Sequence, residues 1–216
     1  MHYFMFNKPR GCVTARKDEL HKTVMDYFPN ELRNLLHPVG RLDIDTEGLL
    51  LITDDGMFDH RLMLPDFHVE KRYFFYAFGS PDSTDIHKLE SGVMLKGQDK
   101  LTLPAKFELC ERMTVADIEA FLPDSKRERF MKNPCGKIFS GYITLTEGRN
   151  HQVKRMLKAV GCTVAYLKRV SIGGVVLDAN LKSGEYRPLT DTEYHMVTSK
   201  NHSASDAQSD FSSDCI

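Results

Sequence analysis

"GRLDIDTEGLLLITDDG", Gly40 to Gly56, is the densest stretch of the chain. Its apolar run "GLLLIT" is short and bounded by turn residues, which predicts a buried strand. Pro38 and Gly40 in the preceding "HPVGRLD" forbid a helix before it. Three acids, Asp43, Asp45 and Glu47, alternate just ahead of the strand, and Asp54 and Asp55 follow it. Asp43, Asp45, Glu47 and Asp54, with Gly48, fall where a calcium loop places its ligands and its glycine. Such a loop needs a helix on each side, and here a strand occupies its second half. Two readings remain for the acids. One is a charged turn with Asp43 paired to Arg41 or another base. The other is a carboxylate that performs chemistry.

Strand signals recur on both sides. "HYFMFNKP" reads as a strand running into a turn at Lys8-Pro9-Arg10-Gly11. "EKRYFFYAFGSP" is an aromatic strand. Alternation puts Tyr73 and Phe75 on one side and Phe74 and Tyr76 on the other, so one face can be core while the other offers a ring to a base. Residues 101–110 and "KIFSGYITLTEG" are further strands, and short ones follow to about Leu189. Short helices fall between them: a broken one over 22–37, one over "DGMFDHRLMLP" ended by Pro65, and one over "SPDSTDIHKLESG". "TDTE" at 190–193 is a capping-box pattern. Residues 111–137 are polar and Pro-containing, an insertion with one helix around Val115–Leu122. From about Ser199 the chain is Ser- and Asp-rich and is expected to be a disordered tail. Many strands, short helices and no regular βαβα alternation predict an α+β fold with a mostly antiparallel sheet.

"EGRNHQVKRMLKAVG" reads as a helix with Asn150 as N-cap and Gly161 just past its end. Val153, Leu157 and Val160 recur at helical spacing and should face the core. His151, Lys154, Arg155 and Lys158 share the other side, near a helix N-terminus that also attracts anions. That face is either a phosphate-binding surface or a solvated one, and His151 taken alone reads as a structural histidine.

The formal charge is −1, but it is unevenly spread. The last sixteen residues hold three Asp and no Lys or Arg, and without them 29 basic residues face 27 acidic ones. Arg149 to Arg169 carries six Lys or Arg and no acid, and Lys126 to Lys137 carries five against one Glu. Clusters of this kind set the field a polyanion meets. Five cysteines, an odd number with no close pair, argue against a disulfide framework and a zinc site. No apolar run approaches a membrane span and the N-terminus lacks signal-peptide features, so a cytoplasmic chain is expected.

Together "NKPRG", "GRLDIDTEGLLLITDDG", "EKRY", "EGRNHQVKRM" and "IGGVVLDANLKSGEYRPLT" resemble the RsuA/RluB/RluE/RluF family of bacterial rRNA pseudouridine synthases. They stand in the family's order over about residues 2–194, and they are most similar to the RsuA branch, which acts on 16S rRNA. The resemblance implies a pseudouridine synthase fold, a mixed and mostly antiparallel sheet in two subdomains flanked by short helices around a central cleft. It implies isomerisation of uridine to pseudouridine in rRNA, at a site of the uridine 516 type, without metal or organic cofactor. A large-subunit 23S substrate, or a non-catalytic RNA-binding assembly protein on this fold, are the alternatives. By matching motifs, Asp43 is the nucleophile. Tyr73 stacks on the flipped base, with assistance to proton removal from C5 as a further role. Lys154 keeps Asp43 ionised and oriented, and Leu167 packs against the base. Arg41, Arg149, Asn150, His151, Gln152, Arg155 and Arg169 are expected to hold the site or the RNA. The expected partner is rRNA in a ribosomal assembly particle, with no membrane and with the enzyme a monomer. Residues 1–198 would form the catalytic domain, without the N-terminal S4 domain of most members. In its place, Lys126, Arg127, Arg129, Lys132 and Lys137 of the insertion are candidates for RNA contact.

Overall fold

The structure is a computed structural model that describes residues 1–64 and 67–199, with the side chains at 124–126 and 129 left aside. Strand β1 (Tyr3–Lys8) pairs antiparallel with β3 (Glu47–Thr53) along its whole length, from Tyr3 opposite Thr53 to Lys8 opposite Gly48. Two short strands flank this pair. β2 (His37–Pro38) lies on β3, and β9 (Tyr186–Pro188) lies on β1. β4 (Lys71–Phe78) runs between β6 (Lys137–Leu145) and β7 (Thr163–Ile172), with β5 (Lys106–Thr114) at the outer edge. β8 (Val175–Val176) folds back on β7. The order is β5-β6-β4-β7-β3-β1-β9.

Every named pairing is antiparallel but one. β3 and β7 run parallel through two residue pairs, Glu47 with Lys168 and Gly48 with Arg169. That narrow seam joins the two halves of the sheet. Gly48 sits at φ +99°, and a Cβ there would lie 2.2 Å from the Arg169 carbonyl oxygen, so only glycine lets the two backbones approach.

"GLLLIT" lacks alternation because both of its faces are covered. Leu50 and Ile52 enter one cluster with Phe4, Phe6, Met25, Phe28 and Leu42. Leu49 and Leu51 enter another with Met5, Phe58, Leu62 and Ile172. All four are at most 1 % exposed, and full burial of such side chains is worth roughly 1.5–3 kcal/mol each. β4 keeps the expected alternation. Phe75 is in the cluster with Val153, Met156, Leu157 and Leu167, while Tyr76, flanked by Phe74, packs with Val115, Ile118 and Tyr166 on the other side.

Helix α1 (Asn30–Arg33) follows a single 3-10 turn at Val24–Tyr27, so the 22–37 segment is broken as expected, with Pro29 between the two pieces. α2 (Gly56–Met63) is capped by Asp55, whose side chain accepts from the Met57 and Phe58 amides. Pro65, its expected terminator, lies outside the described residues. α3 (Ser83–Ser91) has an Asp82 capping box, and α6 (Asp191–Thr198) has one from Thr190 and Glu193.

Two expectations are corrected. The strand expected over 101–110 begins only at Lys106, after Pro104, which has no N–H to donate to a ladder. It continues into the supposed insertion as far as Thr114, with a bulge between Leu109 and Arg112. Beyond it, 111–137 holds a 3-10 turn at Ala116–Phe121 and helix α4 (Asp124–Met131), and Lys137 begins β6. Val115, Ile118 and Leu122 are buried against Tyr76 and Tyr166. Their spacing gives the segment an apolar face, and that face covers one side of the sheet. The tail expected from Ser199 lies, beyond that residue, outside the described part. None of the described helices is long and apolar enough to cross a membrane.

Candidate active site

The loop before β3 is pinned from below at three points. The Thr14 hydroxyl donates to the Leu42 carbonyl at 2.7 Å and accepts from the Leu42 amide at 3.2 Å. The Gly11 amide donates to the Ile44 carbonyl at 2.7 Å. The Lys8 ammonium, fully buried, donates to the Thr46 carbonyl at 2.9 Å and to the Pro9 carbonyl at 3.0 Å. Burial pushes the Lys8 ammonium below its ordinary pKa, against the opposing pull of the nearby Asp45, Glu47 and Asp43 carboxylates. The loop closes on itself through the Thr46 amide and the Asp43 carbonyl. Asp43 therefore projects from a rigid mount.

Across the cleft stands α5 (Gln152–Ala159), which buries Val153, Met156 and Leu157 in the core. Lys154 on its opposite side reaches Asp43 Oδ2 at 2.7 Å and Asp45 Oδ1 at 2.5 Å. One ammonium thus holds two carboxylates. The Asp43 and Lys154 side chains are each 24 % exposed, so the pair is reachable yet screened less than a surface pair. His151 Nε2 lies 3.5 Å from Asp43 Oδ1.

His151 is more than the structural histidine that its sequence context suggested. Its side chain is half exposed, and it replaces Asn150 as the N-cap, in the left-handed region at φ 50°. Asn150 itself is exposed and offers its carbonyl to Arg155. Gln152, the first residue of α5, instead accepts from the Arg149 amide at 2.8 Å through its side-chain oxygen, which fixes the turn that enters the helix.

Tyr73 is half-buried on β4 and packs against both the Leu167 cluster and the Leu42 cluster. It therefore stands where the two halves of the sheet meet. Leu167 lies on the adjacent strand, 5 % exposed. The structure thus gathers Asp43, Lys154 and His151 by direct contact, and carries Tyr73 and Leu167 on the neighbouring strands β4 and β7.

The remaining candidates divide. Arg41 is exposed, and Asp43 pairs with Lys154 rather than with it. Arg155 donates to the Lys96 carbonyl at 2.7 Å from a half-buried position. Arg149 is committed inward. Its guanidinium donates to Glu147, to Gln98 and to the Lys100 and Leu101 carbonyls, clamping the 98–101 turn to the start of α5. Gln152 is 5 % exposed and donates to Glu147. Arg169 is 2 % exposed and donates from Nε to the Leu49 carbonyl at 2.8 Å. Burial, with the Arg169 charge adding to it, pushes neighbouring Lys71 down to about 8.

Asp45 and Lys8 are the site neighbours that the sequence reading passed over. Lys8 left a signal: alternation along β1 puts it in phase with the buried Phe4 and Phe6. Asp45 left none beyond its place among the acids. The calcium-loop pattern has its physical answer here as well. Its first two ligand positions, Asp43 and Asp45, share an ammonium, and Glu47 turns away to accept from the Tyr166 hydroxyl at 3.0 Å.

A family model described as RNA pseudouridylate synthase matches residues 2–159. The chain is 43% identical over 196 residues to "Uncharacterized RNA pseudouridine synthase YtzG" of Bacillus subtilis (strain 168), covering 90% of this chain and 72% of that protein. It is 41% identical over 196 residues to "Ribosomal small subunit pseudouridine synthase A" of Escherichia coli (strain K12), covering 90% and 73%. A solved structure titled "Crystal structure of pseudouridylate synthase" superposes with a TM-score of 0.74 at 38% identity, over 91% of this chain and 73% of that one.

Proposed function

This chain belongs to the RNA pseudouridylate synthase family, and from that premise we propose that it isomerises a uridine of small-subunit 16S rRNA to pseudouridine. The observation that carries the proposal is the Asp43–Lys154 contact of 2.7 Å on the pinned loop. It supplies a carboxylate nucleophile already held in orientation by a cation.

In this reading the target uridine leaves its stack and enters the cleft, as chemistry on a base requires. Asp43 adds covalently to the nucleotide, and the bond between C1′ and N1 breaks. The freed base turns while Tyr73 stacks on it and Leu167 packs against its edge. A bond then forms between C1′ and C5, the proton leaves C5, N1 takes one up, and Asp43 departs unchanged. Atoms balance without oxidant or reductant. His151 and Arg155, on the open side of α5, and exposed Arg41 contact the RNA backbone. Arg149, Gln152 and Arg169 act by holding the site. The relatives named for small-subunit rRNA support the substrate assignment. We place the reaction in the cytoplasm, on rRNA within an assembling ribosomal particle, with the enzyme as a monomer.

Mapping pseudouridine in rRNA from cells with and without the protein tests this reading. One 16S position is expected to lose its pseudouridine and regain it with the wild-type protein. The Asp43→Asn protein should still bind rRNA but restore nothing, its turnover lower by roughly a thousandfold or more. Loss of a 23S position instead would move the substrate to the large subunit. Near wild-type turnover by Asp43→Asn would overturn the mechanism.

A further inference from the structure

The two carboxylate oxygens of Asp43 differ in what they meet. Oδ2 accepts from the Lys154 ammonium at 2.7 Å. Oδ1 faces His151 Nε2 at 3.5 Å, beyond ordinary hydrogen-bond length. Among the described residues no group donates to Oδ1 at hydrogen-bond distance. Oδ1 therefore keeps the lone pairs that a nucleophile needs.

His151 reaches that oxygen from an unusual backbone. It sits at φ 50° and ψ 35°, and His68 is the other non-glycine residue at positive φ among those described. A Cβ disfavours this left-handed conformation, which glycine or asparagine adopts more readily. Capping does not account for a histidine here, because its side chain makes no cap hydrogen bond. The surroundings hold the conformation. The His151 carbonyl accepts from the Arg155 amide at 3.0 Å, and the Arg149 clamp fixes the turn before it. Strain of this kind persists only where neighbours over-determine it, and it clusters at functional sites. Here it sets the ring beside Asp43, and Lys154, on the next turn, meets the same carboxylate.

Charge gives the ring a task. Asp43 and Asp45 share one ammonium and repel each other across it. A carboxylate held at Oδ2 alone turns about that contact. The His151 ring stands at the other oxygen and limits the turn. Arg155 does not serve in its place, since its guanidinium donates to the Lys96 and Asn150 carbonyls.

We propose that His151 is a positioning residue that holds Asp43 with Oδ1, and not Oδ2, as the attacking oxygen. The inference rests on the rRNA-modifying reading above. Oδ1 gives the electron pair that forms the bond to the nucleotide, and the electrons of the broken C1′–N1 bond leave with the base. Oδ1 takes its pair back when Asp43 departs, while Lys154 stays on Oδ2. His151 neither gains nor loses a proton. Its side chain is half exposed, so Nδ1 remains open to the RNA backbone.

Two variants separate positioning from backbone shape. His151→Gly removes the ring and relaxes the left-handed turn. His151→Gln keeps an N–H at about the reach of Nε2 and retains the strain. Each is assayed for melting temperature, for affinity to a 16S rRNA transcript, and for the single-turnover rate of pseudouridine formation at saturating RNA. His151→Gly should melt within about 3 °C of wild type, relief of strain offsetting the added chain entropy of glycine. Its saturated rate should nonetheless fall about a hundredfold, as for a misplaced reacting group. Its affinity should fall by no more than about tenfold, the worth of one hydrogen bond. His151→Gln should recover the rate to within about tenfold of wild type. If His151→Gly does not fold, His151→Asn, which also tolerates the turn, replaces it. A wild-type saturated rate in His151→Gly overturns the proposal. So does a loss confined to affinity, which makes His151 an RNA contact only, and so do equal rates in His151→Gly and His151→Gln. Wild-type protein that forms no pseudouridine in this RNA would instead refute the enzyme reading, and the positioning role with it.

Discussion

Asp43, Asp45 and Lys154 form a triad of charges in which the single cation decides the geometry. Replacing Lys154 with Met leaves two neighbouring carboxylates to repel each other across the loop. Asp43 then swings toward solvent, and kcat is expected to fall about 10²–10³-fold, the range for loss of one preorganised charge contact. Lys154→Arg keeps the charge and should retain activity within about tenfold of wild type. Single-turnover kinetics on a 16S transcript separates the two. Equal losses in both variants would show that the cation's shape, not its charge, matters.

At the scale of the element, α6 shows how a helix is fixed by its first turn. Glu193 closes the capping box with Thr190 and is gripped by Arg187, Nη1 to Oε2 and Nη2 to Oε1 at 2.8 Å each. Arg187 also donates to Asp178 at 2.8 Å. These hydrogen bonds hold the Glu193 carboxyl down at about 2, from an ordinary 4.5. A depressed carboxylate stabilises the fold fully above its unfolded pKa and loses that contribution as pH falls through the folded one. The window is therefore pH 4.5 down to about 2. Glu193→Gln should cost about 1–2 kcal/mol at pH 7. Its melting temperature should approach that of the wild type as pH drops through that window. A constant gap between the two melting curves down to pH 2 would refute this account.

The whole molecule depends on the seam between β3 and β7, where only two residue pairs join the halves of the sheet. Arg169 crosses that seam from a buried position to the Leu49 carbonyl. Arg169→Met should destabilise the protein by about 2–4 kcal/mol, since the Leu49 carbonyl loses its charged donor and the packing changes. Hydrogen exchange should quicken at the β3 and β7 amides near the seam, while affinity for rRNA under native conditions stays near wild type. A selective loss of RNA affinity without loss of stability would return Arg169 to the RNA-contacting set.

The sequence by itself determined most of the elements and their faces, though not the bounds of β5 or the helix α4. "GLLLIT" is too apolar to be half-exposed, "YFFYAF" alternates, and the apolar residues of α5 recur at the helical period. These are local signals, because side-chain direction follows backbone period wherever a segment regularly adopts helix or strand. The matched motifs also singled out Asp43, Tyr73 and Lys154. Local pattern could not say which charges meet. Asp43 and Lys154 are separated by 111 residues, and only the packing of α5 across the loop joins them. The same holds for the arginines. Arg149 and Arg169 look like Arg155 in a basic run, yet one is clamped by backbone carbonyls and another is sealed at the seam. At Gly40–Gly56 the acids form one set in the sequence, and the tertiary structure separates them. Asp43 and Asp45 face Lys154, Glu47 faces Tyr166 and Arg10, and Asp55 caps α2. Charge neutralisation and desolvation act through space, so the partners of each carboxylate were decided only when the chain had folded.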